Sequence, residues 1–119
     1  MNPVESVAII GAGNMGSGTA QKTAQEEFEV QMVDREAQFV ERGQQIISDF
    51  LAEAVERRIF RPEQVEAIQG RITGVVGTEN VDPGTDLVIE AVFEDFDVKT
   101  AVFKILDEVC DEATILASN

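Results

Sequence analysis

The chain has 119 residues, 23 acids against 9 bases, a formal charge of −14, 44% hydrophobic residues, one cysteine, and no histidine, tryptophan or tyrosine. That size suits one domain and that apolar content can bury a core, while a lone Cys110 excludes an internal disulfide framework and a cysteine-clamped metal site. The charge repels nucleic-acid phosphates and anionic lipid, no apolar run reaches the roughly 20 residues of a bilayer span, and the missing histidine removes the commonest general base.

Val7-Ala8-Ile9-Ile10 is a continuous apolar run ending at glycine, the pattern of a strand buried on both faces. From Asn14 to about Glu26, small residues such as Ala20 and Ala24 predict a helix that can approach a sheet closely. Val30-Gln31-Met32-Val33 predicts a second strand, closed by Asp34. From Glu36 to about Arg58, apolar residues recur at three- and four-residue spacings, predicting a helix about 33 Å long. Pro62 starts another helix and Gly70 ends it. Arg71 to Val76 reads as a weak third strand interrupted by Gly74, and Asp82-Pro83-Gly84-Thr85 as a turn. Leu87 to Val92 predicts a strong fourth strand. Asp95 is positioned to cap a helix running to about Cys110, and Thr114 to Ala117 predicts a fifth strand. Alternating strands and helices predict an α/β fold, a Rossmann-type, doubly wound, mostly parallel sheet in a single partial domain over 1–119. The helical stretch at about 36–70 is an insertion longer than such a crossover requires.

Gly11-Ala12-Gly13-Asn14-Met15-Gly16 matches G-x-G-x-x-G between the first strand and the first helix, and Asp34 follows near the usual spacing of about 20 residues. Gly11 permits the tight turn. Gly13 lets a pyrophosphate approach the backbone, and Gly16 lets helix and strand touch. Asn14 and Met15 open the helix, whose N-terminus offers amide donors and the positive end of its dipole. Asp34 can accept hydrogen bonds from the adenosine ribose, and its charge opposes a 2′-phosphate, so NAD is expected over NADP. Arg35 beside it is expected to pack near the adenine or stand in solvent. FAD-binding chains share the glycine pattern.

These residues, with Ser17-Gly18, Val33-Asp34-Arg35, Asp86 to Val92, Glu94-Asp95, Val98-Lys99 and Ala117-Ser118-Asn119, resemble the NAD-binding domain of 3-hydroxyacyl-CoA dehydrogenases. The resemblance runs from Val4 to Asn119. It implies oxidation of L-3-hydroxyacyl-CoA, including 3-hydroxybutyryl-CoA, to the 3-ketoacyl-CoA in fatty-acid β-oxidation or butanoate metabolism. It implies NAD contacts from Ala91, Val92, Glu94, Lys99 and Asn119 beside those of the glycine turn. It also implies that the Glu36–Gly70 insertion reaches towards CoA, where Arg57 and Arg58 face phosphates or form an exposed helix end. Glu90, an acid inside an apolar strand, is expected to be buried and structural. Two departures stand out. Glu26-Glu27-Phe28 replaces a glycine usual before the second strand, and Thr19 replaces an apolar residue.

The family's catalytic serine, histidine, glutamate and asparagine correspond to positions beyond Asn119, so no catalytic residue is expected here. The chain is expected to be an excised NAD-binding module that binds NAD(H) without turnover. A stand-alone nucleotide sensor and the corresponding domain of a small hydroxy-acid dehydrogenase are the alternatives. The expected partners are acyl-CoA and a second copy in the complete enzyme, with self-association of the fragment through an edge strand. Cytoplasmic location fits the single cysteine. Cys110 has no basic neighbour in sequence and is expected to be a packing residue. The acid excess suits either a high-salt cytoplasm or an ordinary acidic domain.

Overall fold

A computed structural model describes residues 4–91, 96–110 and 114–118. The order is β1 (Ser6–Ile10), α1 (Asn14–Gln25), β2 (Glu29–Asp34), α2 (Ala37–Glu56), α3 (Pro62–Gly70), β3 (Ile72–Val76), β4 (Leu87–Glu90), α4 (Phe96–Val109) and β5 (Ile115–Ser118). The strands form one parallel sheet in the order β3-β2-β1-β4-β5, the expected doubly wound class.

Strand β1 sits at the centre and is buried on both faces, as its unbroken apolar run requires. Val7 and Ile9 join Met32, Ile47, Leu51 and Ile68 on the face covered by α1, α2 and α3. Ala8 and Ile10 join Val33, Val81, Val88 and Leu106 on the opposite face, under α4. The small residues of α1 serve close approach, since Ala20 and Ala24 are fully buried against the sheet.

Several boundaries differ from those read in the sequence. Gly74 does not interrupt β3. It pairs with Met32 within a continuous strand, and a Cβ there would lie 2.6 Å from Val40 Cγ1 and 2.7 Å from Gln44 Nε2. The glycine therefore makes room for α2. That helix ends at Glu56 rather than Arg58, because Arg58 turns to φ 60° while the Ile59 N–H bonds the Ala54 carbonyl at 2.8 Å. Helix α1 ends the same way, with Glu27 at φ 73° and the Phe28 N–H directed to the Thr23 carbonyl at 3.4 Å. A left-handed acid thus occupies the place where glycine was missed. Thr19 is half-buried, and its hydroxyl bonds back to the Met15 carbonyl at 2.9 Å. Thr114 lies just before β5, its hydroxyl bonded to the Thr85 carbonyl at 2.7 Å. A short 3-10 turn at Thr78–Asn80, not foreseen, lies under α4. The position of Asp95 lies outside the described residues.

Candidate functional site

The carboxyl ends of β1, β2 and β4 are stitched together by backbone hydrogen bonds from the loops that leave the strands. The Gly11 N–H donates to the Val33 carbonyl at 2.6 Å, and the Ala91 N–H donates to the Ile10 carbonyl at 2.8 Å. The Gly77 N–H donates to the Asp34 carbonyl at 2.7 Å. The backbone of Ala91 therefore stands beside the start of the glycine turn.

The three glycines of the turn meet three different demands. Gly11 adopts φ 113°, in the region that favours glycine. A Cβ on Gly16 would run into the Gly11 carbonyl oxygen and stand 2.6 Å from the Gly11 carbonyl carbon, so helix and turn touch there. A Cβ on Gly13 would meet nothing within 4 Å, because that face of the turn opens to solvent. Gly13 is also the N-cap of α1, which has neither a side-chain cap nor an acid in its first turn. Asn14 and Met15, the next two residues, are exposed, Met15 by 63%. The turn presents an uncovered helix N-terminus.

Asp34 is half-buried at the end of β2 and is fixed by two amides. Its Oδ2 accepts the Ala12 N–H at 3.0 Å and its Oδ1 accepts the Arg35 N–H at 2.7 Å. Each carboxylate oxygen keeps lone-pair capacity for a further donor. Arg35 is exposed, with its guanidinium carbon 5.3 Å from the centroid of the Phe39 ring. Val76, in register with Asp34 on the neighbouring strand, is 43% exposed and forms an apolar ledge beside the acid.

The insertion helix backs the turn from behind. A Cβ on Gly43 of α2 would lie 2.7 Å from the Ala12 carbonyl oxygen and 2.9 Å from the Ala12 Cβ. In the sequence, the only signal for Gly43 is that it is a glycine inside a helical pattern. Val76 had a similar signal, an apolar strand end followed by glycine. Arg57 pairs with Glu53 at 2.7 Å along α2, and exposed Arg58 stands at the helix end with φ 60°. Glu90 is fully buried at the end of β4, in register with Ile10 and Ser118. Cys110 is half-buried and packs on the α4 side of the sheet, a packing residue as expected. Lys99 falls within α4; Val92, Glu94 and Asn119 lie outside the described residues. Among the described residues no group of three or more metal-binding side chains gathers.

The cradle fits a dinucleotide: an open glycine face over a helix N-terminus for the pyrophosphate, and an oriented carboxylate at the next strand for the ribose. Comparison with known proteins agrees. The family model "3-hydroxyacyl-CoA dehydrogenase, NAD binding domain" matches residues 6–119. A Bacillus subtilis protein described as a probable 3-hydroxybutyryl-CoA dehydrogenase is 36% identical over 116 residues, covering 98% of this chain and 40% of its own. The mitochondrial hydroxyacyl-coenzyme A dehydrogenase of Sus scrofa is 33% identical, covering 98% of this chain and 38% of its own. The crystal structure of an (S)-3-hydroxybutyryl-CoA dehydrogenase from Ralstonia eutropha superposes with a TM-score of 0.93 at 32% identity, covering 98% of this chain and 41% of that one. The chain thus spans about two fifths of the length of these relatives.

Proposed function

The chain belongs to the 3-hydroxyacyl-CoA dehydrogenase family of NAD-dependent enzymes, as their NAD-binding domain, and on that premise we propose how it holds the cofactor and what the whole protein does. The adenosine ribose bonds to the Asp34 carboxylate. The pyrophosphate lies over Gly11, Gly13 and Gly16 against the amides that open α1 at Asn14 and Met15. The nicotinamide half extends past Ala91 towards Val92, Glu94, Lys99 and Asn119. Arg35 stands at the adenosine end. The bound cofactor supplies the hydride acceptor. The whole protein oxidises an L-3-hydroxyacyl-CoA to the 3-ketoacyl-CoA, with the proton-accepting group supplied outside these 119 residues, which contain no histidine. The whole protein binds acyl-CoA and works as a homodimer in the cytoplasm; β5, an edge of the sheet here, favours self-association of this chain.

The observation that carries this reading is the pairing of an open Gly13 face with an Asp34 carboxylate locked to the same turn through Ala12. Thermal denaturation with added dinucleotide tests it. At 100-fold excess over Kd, a ligand that binds only the folded state adds about 2.7 kcal/mol, so NADH raises Tm clearly. NADPH raises it much less. Equal shifts from the two would overturn the role of Asp34, and no shift from either would overturn the reading altogether. The chain alone, mixed with NADH and a 3-ketoacyl-CoA, gives no turnover.

A further inference from the structure

Arg35 directly follows the acid assigned to the adenosine ribose, where a guanidinium can serve either of two anions. It can pair with the acid itself, or it can attract a 2′-phosphate and admit NADP. The structure shows neither disposition prepared. Among the described residues the ion pairs are Lys22–Glu26 and Glu53–Arg57, and none joins Arg35 to Asp34. The Asp34 oxygens instead take backbone amides, one of them that of Arg35. The guanidinium lies 5.3 Å from the centroid of Phe39, four residues on, in the first turn of α2. Phe39 itself is half-buried, and its backbone is held in the first turn of α2 by the N–H bond to the Glu36 carbonyl at 3.1 Å.

We propose that the Phe39 ring is a positioning residue for cofactor choice, holding the Arg35 guanidinium against its face and so away from the site of a 2′-phosphate. Asp34 then acts as an unneutralised charge at the ribose, and NADP is rejected although an arginine stands next to the acid. The inference rests on the NAD site proposed at Asp34 and adds a residue that the glycine fingerprint does not contain.

Binding titrations of NADH and NADPH to the 119-residue chain test it, with melting curves to verify folding. Phe39→Leu keeps apolar bulk and removes the ring face. The ratio Kd(NADPH)/Kd(NADH) then falls by about two- to five-fold, the size set by an exposed cation–π contact. Arg35→Lys, which keeps the charge but loses the planar group that stacks, lowers the ratio in the same direction and serves if Phe39→Leu does not fold. Adding Arg35→Ala to Phe39→Leu abolishes the fall. A purely structural Phe39 would weaken both dinucleotides together and leave the ratio fixed. An unmoved ratio in both single variants, or an equal fall in the double variant, overturns the inference while NADH binding by the unaltered chain preserves the NAD reading. Failure of the unaltered chain to bind either dinucleotide overturns both.

Discussion

The carboxylate of Asp34 accepts the backbone N–H of Ala12 at 3.0 Å across 22 positions of sequence, so the proposed ribose-binding acid also holds the glycine turn. Cofactor affinity and loop order are therefore coupled through one side chain. Asp34→Ala removes the acceptor for both the Ala12 and the Arg35 amide, and hydrogen bonds to a charged group contribute about 1.5–3 kcal/mol each. Partial exposure of the site places the expected loss of folding stability near the lower end, with NADH affinity down at least tenfold. Asp34→Asn keeps one oxygen acceptor and removes the charge. It weakens NADH less and narrows the preference over NADPH. Denaturant titration and fluorescence titration of both variants separate the two effects.

Gly13 and Gly16 lie three residues apart in one motif, yet the structure assigns them opposite kinds of necessity. A Cβ on Gly16 meets the Gly11 backbone, which cannot move without undoing the turn. Gly16→Ala is expected to cost about 3 kcal/mol or more, as overpacking against backbone does at its upper range. A Cβ on Gly13 meets open space, and the Gly13 backbone, at φ −73° and ψ −166°, is one that alanine adopts freely. Gly13→Ala should shift folding stability by about 1 kcal/mol at most, the difference between glycine and alanine as N-cap. It should nonetheless weaken NADH strongly, because the added methyl occupies the approach of the pyrophosphate. Melting curves with and without NADH distinguish the two variants in one experiment. Unimpaired NADH binding by Gly13→Ala would sink the pyrophosphate assignment.

What could be read in the sequence was what local chemistry decides. The β1 run, the glycine turn and Asp34 carry their signals within a few residues, because a doubly buried strand, a tight turn and a helix N-terminus each demand particular residue types. The clamp from Asp34 to Ala12 was hidden, since only the pairing of Ile10 with Val33 brings those residues together. Gly74 looked like a break in a weak strand because the neighbour that requires a glycine, Val40, lies on another element. The role of Gly43 was hidden for the same reason, its partner Ala12 being distant in sequence. Arg35 stood out as charged, but its disposition depends on a ring one helical turn away.

The end of α1 carries an inexpensive improvement. Glu27 holds φ 73° in the cap of that helix, a conformation that costs an L-residue roughly 1–2 kcal/mol and glycine almost nothing. The side chain is exposed, so nothing packed is lost on its removal. Glu27→Gly is expected to raise stability by about 1 kcal/mol, after subtracting glycine's larger entropy in the unfolded chain. Equilibrium denaturation reads the change. Glu27→Ala, which removes the charge without relieving the backbone, should give little of it.

Asp86 fastens the amino-terminal edge of the sheet. Its Oδ2 accepts the Glu5 N–H at 2.9 Å and the Ser6 N–H at 3.1 Å, and the Ser6 hydroxyl lies 3.2 Å away. The Glu5 amide, followed by that of Ser6, holds the carboxyl below its usual pKa of 3.8. The folded state therefore binds this proton less readily than the unfolded chain. The stabilisation is complete above the unfolded value and disappears as pH falls below it through the folded value. Asp86→Asn should flatten the acid limb of a plot of stability against pH below about pH 4, with no change of slope near neutrality. A variant whose acid limb matches that of the unaltered chain would show the contact to be incidental.

The net charge of −14 makes salt the most informative solvent variable. Exposed acids crowd one side of the molecule along α2 and α3, among them Glu41, Asp49, Glu53, Glu56, Glu63 and Glu66. Among the described residues the only ion pairs are Lys22–Glu26 at 3.2 Å and Glu53–Arg57 at 2.7 Å, each exposed and within one helix. Pairs of that kind contribute about 0–1 kcal/mol, so screening removes little attraction. It removes much more repulsion, since the Debye length falls from about 10 Å at 0.1 M to about 3 Å at 1 M. Tm is therefore expected to rise steadily as KCl increases from 0.05 M to about 1 M. Replacing Glu56, Glu63 and Glu66 together by lysine should raise Tm at low salt and shrink the gain from KCl. A flat or falling Tm in the unaltered chain would mean that its acids are too well solvated to oppose folding, and would count against adaptation to a saline interior.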